Sequence, residues 1–274
     1  MGFLLREKLS RMRAQAGTLA GIPRGFFIQY DYARSVAPVS EPYREFELLC
    51  ESSPFEQFLD EMSMHVPAFK GFGADAGDPE WGHGMFPPLD GAAAYTAVKK
   101  FQPKQIIEIG SGDSTRYLAK AAAPEAKITC IDPQPRRSIE TLPVDFIRRV
   151  IRNSDADLMD SLDASDILFI DSSHIMLPGM DVDIQFNRFF PRLRPGVVVH
   201  VHDIFLPDDY PPHWAGRRWN EQNALAGWLL SGFFEILYPG HYVATRHGDK
   251  IDRAFAEFPL ATRKNAGSLW LRRR

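Results

Sequence analysis

Glu108-Ile109-Gly110-Ser111-Gly112-Asp113-Ser114-Thr115 follows an apolar run, Gln105 to Ile109, and opens a segment of helical periodicity, Ser114 to Ala123. A strand ending in two closely spaced glycines and passing directly into a helix lets the backbone turn sharply and approach a ligand. The free N–H groups of the helix's first turn then face that ligand. The stretch therefore predicts a nucleoside-containing ligand at the carboxyl end of a strand. About twenty residues further, the apolar run Lys127 to Ile131 ends at Asp132, where a carboxylate can accept hydrogen bonds from both hydroxyls of a ribose.

The pattern of strand, helix, strand continues outward from this pair. A helix is expected at Arg136 to Thr141, a weaker strand at Phe146 to Ile151, a fully apolar strand at Asp166 to Ile170, a helix at Met180 to Phe190 and a strand at Val197 to Val201. A helix at Glu221 to Leu230 and strands at Phe233 to Tyr238 and Ser268 to Arg272 complete the set. Upstream, Asp90 is read as the cap of a helix from Gly91 to Phe101 that Pro103 stops, and Phe55 to His65 as a helix among many prolines and glycines. The expected fold is α/β: a seven-stranded, mostly parallel, doubly wound (Rossmann-like) sheet with helices on both faces and an N-terminal helical extension. The division expected is an extension or cap at 1–90 and a ligand-binding domain at 91–274. Ligands of such sheets bind beyond the carboxyl ends of the strands, which directs attention to the residues there.

Composition narrows the function. The chain has 274 residues, 32 basic and 35 acidic side chains, a net charge of -3 and 45% hydrophobic residues. These are the proportions of a soluble globular protein, and they provide no basic footprint for nucleic acid. Two cysteines, Cys50 and Cys130, are too few for a disulfide framework and are expected to be reduced, in keeping with a cytoplasmic protein. No apolar run approaches the ~18 residues of a membrane span, so stable membrane insertion is not expected. The basic amino-terminal stretch, Met1 to Gly17, reads as a short helix or a frayed end.

Two ligands fit the glycine turn and Asp132: a nicotinamide dinucleotide, which would make the chain an NAD(P)-dependent oxidoreductase, or S-adenosylmethionine. The dinucleotide fingerprint wants a third glycine where Thr115 stands, and it needs no acid two residues before the first glycine. The acid here is Glu108. A carboxylate at the strand end suits a ligand with a cationic amino group and repels a pyrophosphate, and S-adenosylmethionine has the amino group and no phosphate. With these residues the sequence resembles the class I S-adenosylmethionine-dependent methyltransferases, over roughly residues 86 to 274. The resemblance implies that Glu108, Gly110, Ser111, Gly112 and Thr115 surround the methionine part, that Asp132 binds the ribose, and that Asn153, Ser154 or Asp155 lies near the adenine.

The fourth strand ends Asp171-Ser172-Ser173-His174 and the fifth His200-Val201-His202-Asp203. Both ends open on the cofactor's side of the sheet. If the fifth strand stops at Val201, His202 and Asp203 project into the crevice and His200 stays within the sheet. Methyl transfer needs an oxygen or nitrogen nucleophile freed of its proton. A histidine can accept that proton, and a divalent cation can lower the pKa of a hydroxyl. Asp171 and Asp203 are hard ligands suited to Mg²⁺, while His202 also suits Zn²⁺, Mn²⁺ or Fe²⁺. The Asp-x-x-His arrangement is similar to that of the metal-dependent sugar O-methyltransferases of macrolide biosynthesis. That likeness implies Asp171 and Asp203 as metal ligands and His174 as general base, with His202 standing where those enzymes have a second acid.

Between Asp203 and Gln222 the chain carries Tyr210, Trp214, Arg217, Arg218 and Trp219, side chains that line polar pockets or stack on sugars. The segment is expected to be a lid over a small-molecule acceptor, with a contact in a homo-oligomer as the alternative. The reading is an S-adenosylmethionine-dependent methyltransferase acting on the oxygen of a polar small molecule such as a sugar or natural-product precursor. Its rivals are the oxidoreductase and a methyltransferase-like module that binds without catalysis.

Overall fold

The computed structural model describes residues 41–274 apart from 76, 82–85, 259 and 261–265, together with scattered positions between 5 and 20. The basic amino-terminal stretch lies mostly outside the described residues; positions 5, 9, 12, 13, 15, 16 and 19 are helical. The chain divides into two compact units, one of residues 1–39 with 211–218 and one of residues 40–210 with 219–274. In the first, a 3₁₀ turn runs from Pro212 to Arg217. Among the described residues, no helix is long and apolar enough to cross a membrane.

The second unit begins with α1 (Arg44–Glu51), α2 (Phe55–Met64), α3 (Val66–Phe69) and α4 (Pro88–Phe101). Next come β1 (Gln105–Ile109), α5 (Asp113–Ala121), β2 (Lys127–Ile131), β3 (Asp145–Ile147), β4 (Ile167–Ile170), α6 (Asp181–Ile184) and β5 (Val198–Val201). The chain closes with α7 (Glu221–Leu230), β6 (Phe234–Pro239), α8 (Gly240–Arg246), α9 (Gly248–Ala254) and β7 (Leu269–Arg273). The seven strands form one sheet in the order β3-β2-β1-β4-β5-β7-β6, with β7 antiparallel to both its neighbours and β1 to β5 mutually parallel where they pair. This confirms the expected α/β class. An antiparallel strand inserted between β5 and β6 also departs from the 3-2-1-4-5-6 order of dinucleotide-binding sheets.

Register explains why one end of this sheet holds the site. Ile109 of β1 pairs with Ile131 of β2 and Ile170 of β4, and Ile170 pairs with Val201 of β5. Four strands thus end in one row, and the next residue of each, Gly110, Asp132, Asp171 and His202, emerges at the same level. β4 and β5 are buried along their whole length, as expected of central parallel strands rich in apolar and β-branched residues, with His200 of β5 paired to the Ser268 hydroxyl at 3.0 Å. Asp166 fixes the opposite end: Oδ1 accepts the Lys104 and Gln105 N–H groups at 2.9 Å each and Oδ2 that of Asp163 at 2.9 Å. Asp166→Ala would strand these donors and is expected to lower unfolding free energy by ~3 kcal/mol in denaturant titration, with Asp166→Asn losing less.

Several local expectations change. Arg136 to Thr141 forms turns, because Pro133, Pro135 and Pro143 flank it. The third strand is shorter than expected. The helix after β4 starts at Asp181, becomes a π turn over Gln185–Phe189 and a 3₁₀ turn at Phe190–Arg192, because Pro191 lacks the N–H that would continue an α-helical ladder. α4 starts before Asp90, so Asp90 is no cap; its buried carboxylate accepts the Gly267 and Ser268 N–H groups at 3.0 and 3.1 Å and ties α4 to the approach to β7. Phe58 of α2 stacks on Tyr238 of β6 at 5.0 Å, so the stretch upstream of residue 90 shares the sheet's apolar core.

Candidate active site

A cavity of about 490 Å³ opens beyond the row of strand ends. The β1 turn from Ile109 to Ser114 forms its floor. Ile131 to Gln134 with Arg136 forms one side, Asp171 to Ser173 the other, and Phe86, Val150, Ile151 and Gly179 to Asp181 complete it. Gly110 has φ 85°, a left-handed conformation, and a Cβ there would lie 1.7 Å from the Asp171 carbonyl oxygen. Only glycine lets β1 turn against the end of β4 at this point.

Glu108 does not face the cavity, and the sequence argument that set its carboxylate against the ligand's amino group is corrected here. The side chain is fully buried and absent from the lining. One carboxylate oxygen accepts the Ser114 hydroxyl at 2.7 Å; the other accepts the Thr115 hydroxyl at 2.7 Å and the Cys130 thiol at 3.2 Å. Thr115 Oγ1 in turn accepts the Gly112 N–H at 3.0 Å. The acid therefore fastens the glycine turn to the first turn of α5 from behind. Burial pushes its carboxyl up to about 7, against the hydrogen bonds that favour the charge.

Asp132 lines the cavity, as do Gly110, Ser111 and Gly112. Its Oδ2 accepts the Ser111 N–H at 2.7 Å and its Oδ1 that of Gln134 at 2.6 Å, which pins the carboxylate at the end of β2. Ser154 and Asp155 stand elsewhere. The Asp155 carboxylate is engaged by Arg149 in a two-point pair at 2.7 Å and by the Arg152 N–H at 2.7 Å, and neither Ser154 nor Asp155 is among the lining residues. Val150 and Ile151 occupy that wall, and their apolar surface suits the flat face of a base.

Among the described residues, Asp171, His174 and Asp203 form the one group of three whose metal-ligating atoms lie within 4.8 Å of one another. His174 Nε2 is 3.4 Å from Asp171 Oδ1 and 3.4 Å from Asp203 Oδ2. Its Nδ1 lies 2.8 Å from Glu221 Oε2, which comes from the first turn of α7 and is fully buried. The Asn220 and Glu221 N–H groups also bond the His174 carbonyl at 3.1 and 3.3 Å, and the Trp219 ring lies 4.2 Å from the imidazole. His174 and Asp203 adopt left-handed φ of 62° and 56°, strain that these contacts hold in place. Burial disfavours charge on His174, but Asp171, Glu221 and Asp203 outweigh it and hold its pKa well above the ordinary imidazole value. Burial would also raise the Asp171 carboxyl, yet His202 and His174 keep it well below the usual carboxylate range.

Among the described residues the converging atoms are those of Asp171, His174 and Asp203, so His174 stands in the group where the expected metal set had His202, whose Nε2 lies beside it, 3.7 Å from Asp203 Oδ1. β5 ends at Val201 as expected, yet the His202 N–H still bonds the Ile170 carbonyl at 2.9 Å, so strand alternation persists for one more residue. Its ring therefore shares a face with His200, at 5.7 Å, under Phe86 at 5.0 Å, and is buried. Burial works against its charge, but Asp171, Asp203 and Asp90 prevail and raise its pKa.

The segment read as a lid is divided between the two units. Tyr210 is buried and its hydroxyl accepts the Gln222 N–H at 3.2 Å, a packing role. Trp219 stands beside His174. Trp214, Arg217 and Arg218 belong to the other unit, where the Arg217 guanidinium lies 4.0 Å from the Trp214 ring. Glu221 was not foreseen, since nothing in its local sequence singles it out from an ordinary first-turn acid.

A family model described as a methyltransferase domain matches residues 107–204, from β1 to just past Asp203. No curated protein matches the chain. Among solved structures it is similar to the O-methyltransferase from Bacillus cereus in complex with SAH, at 14% identity over 84% of this chain and 97% of that one, TM-score 0.45. It is also similar to a methyltransferase from Geobacter sulfurreducens, at 15% identity over 67% and 77%, TM-score 0.41. The O-methyltransferase TomG from Streptomyces achromogenes, involved in tomaymycin synthesis and in complex with SAM, shares 14% identity over 84% and 97%, TM-score 0.35. The segment matched by the methyltransferase-domain model contains the glycine turn, Asp132 and the Asp171, His174, Asp203 cluster.

Proposed function

We propose that the chain methylates a hydroxyl of a polar small molecule, a sugar or natural-product precursor, with His174 as general base. The observation that carries this reading is the pairing of His174 Nδ1 with Glu221, which leaves Nε2 as the ring's one remaining nitrogen, facing Asp171 at the cavity edge. In the reaction the acceptor oxygen attacks the methyl carbon in line with the sulfonium, and its proton passes to Nε2. The carbon–sulfur bond breaks, giving the methyl ether and S-adenosylhomocysteine. Asp132 is assigned to the ribose, and the turn Gly110 to Gly112 to the methionine part. Acceptor recognition is assigned to Trp219, whose ring lies beside the His174 imidazole.

The donor set fits a divalent cation, because two carboxylates converge with one imidazole. Asp171 and Asp203 would hold it, and when bound it would polarise the acceptor hydroxyl and neutralise both aspartates. With those two charges answered, Glu221 remains as the charged partner of His174, and Nε2 can give up its proton and act as a base.

The test is transfer of label from methyl-labelled S-adenosylmethionine to a panel of glycosides, nucleotide sugars, polyols and phenols, with added Mg²⁺ and with chelator. Label is expected on a hydroxyl, falling at least ~10-fold under chelation and restored by Mg²⁺. Transfer confined to amines would refute the oxygen acceptor. Indifference to chelation would remove the cation.

A further inference from the structure

The cavity wall carries four carboxylates, Asp113, Asp132, Asp171 and Asp181, and among its described residues one cationic side chain, Arg136. The acids have partners within the protein. Asp113 meets Arg137 at 3.2 Å, Asp132 holds the Ser111 and Gln134 N–H groups, Asp171 faces His174, and Asp181 accepts the Ser173 N–H and hydroxyl at 2.8 and 2.6 Å. Arg136 lies near enough to Asp171 for its charge to help hold that carboxyl down, but no hydrogen bond or ion pair with a described residue ties up its guanidinium, whereas its neighbour Arg137 is engaged by both Glu80 and Asp113. The segment runs close to the glycine turn, since a Cβ on Gly112 would stand 3.9 Å from the Arg137 backbone nitrogen.

S-adenosylmethionine presents two positive centres, the sulfonium and the ammonium, and one carboxylate. A wall of four acids and a single guanidinium matches that distribution of signs. We infer that Arg136 binds the amino-acid carboxylate of the cofactor. The inference rests on the reading that this cavity holds S-adenosylmethionine. Physically, a carboxylate entering an acidic wall meets repulsion unless a cation stands opposite it, and a guanidinium offers the planar two-point contact that carboxylates favour. Arg136 is thereby a specificity residue: it selects ligands that keep the whole amino acid over adenosine thioethers that lack the carboxyl group.

Calorimetric titration of the full chain tests this without an acceptor, using S-adenosylhomocysteine and its decarboxylated analogue. Wild type is expected to bind the first more tightly than the second. Arg136→Gln should weaken S-adenosylhomocysteine binding by about 10- to 100-fold and leave the analogue unaffected, with Arg136→Lys between. A variant that binds S-adenosylhomocysteine as wild type does would overturn the inference alone, and would place Arg136 with the acceptor or with solvent. Equal losses for both ligands would also overturn it, as a general disturbance of the cavity. Wild type unable to bind S-adenosylhomocysteine would overturn the cofactor reading and the inference with it.

Discussion

Gly110→Ala is expected to destabilise the fold by ~3–5 kcal/mol and to abolish measurable binding of S-adenosylhomocysteine. Two separate costs combine. At φ 85° an L-residue is held in the left-handed region, worth ~1–2 kcal/mol. The new methyl would also sit 1.7 Å from the Asp171 carbonyl oxygen and 2.7 Å from its carbon, backbone atoms that cannot rotate away. Contact at an ordinary distance requires β1 and β4 to part by more than ~1.5 Å. Yet these ends are joined: the Asp171 N–H bonds the Ile109 carbonyl at 2.9 Å and the Gly110 N–H that of Ile131 at 3.1 Å. Opening the row displaces Asp171 and the turn together, so stability and binding fail at once. Gly179→Ala provides the control. It has a similar φ of 79° and lies on the cavity rim, but its methyl would meet nothing within 4 Å. It should lose only ~1 kcal/mol in thermal or denaturant unfolding. Equal effects from the two substitutions would show that backbone strain, and not the close approach of β1 to β4, governs the site.

What the sequence made legible was whatever depends on position along a strand. Apolar runs marked β1, β2, β4 and β5, and because parallel strands end in register, Asp132, Asp171 and Asp203 could be placed at one edge before any coordinates. Side-chain direction was less legible. His202 kept the strand's alternation for one residue past the ladder, a matter of a single backbone bond to Ile170. Glu108 was misread because its partners arrive from the next helix and the adjacent strand, where Ser114, Thr115 and Cys130 present hydroxyls and a thiol to a buried acid. Asp155 was claimed by Arg149, six residues earlier across a tight turn. Glu221 lies 47 residues beyond His174 and is brought to it only by the packing of α7 against the loop after β4. Contacts of that span leave no periodic trace in a single chain.

The His174–Glu221 pair has the larger catalytic consequence. His174→Ala is expected to lower turnover by ~10²–10⁴-fold while S-adenosylhomocysteine affinity changes less than ~3-fold, because His174 is not part of the cavity lining. Glu221→Gln keeps the side chain's shape and removes its charge. Its amide can donate to Nδ1 as readily as accept from it, which would move the ring proton to Nε2 and block the nitrogen that faces Asp171 and Asp203. A fall of ~10²-fold in kcat, with KM for S-adenosylmethionine unchanged, is the expected signature of a residue that acts by positioning the imidazole. Glu221→Asp should recover part of the loss, since the carboxylate is restored at a shorter reach. If His174→Ala turned over near the wild-type rate at neutral pH, proton removal would have to be assigned to Asp171, Asp203 or solvent. If instead Glu221→Gln reduced kcat and cofactor affinity together, the acid would be holding the loop after β4 in place and not the tautomer of its histidine.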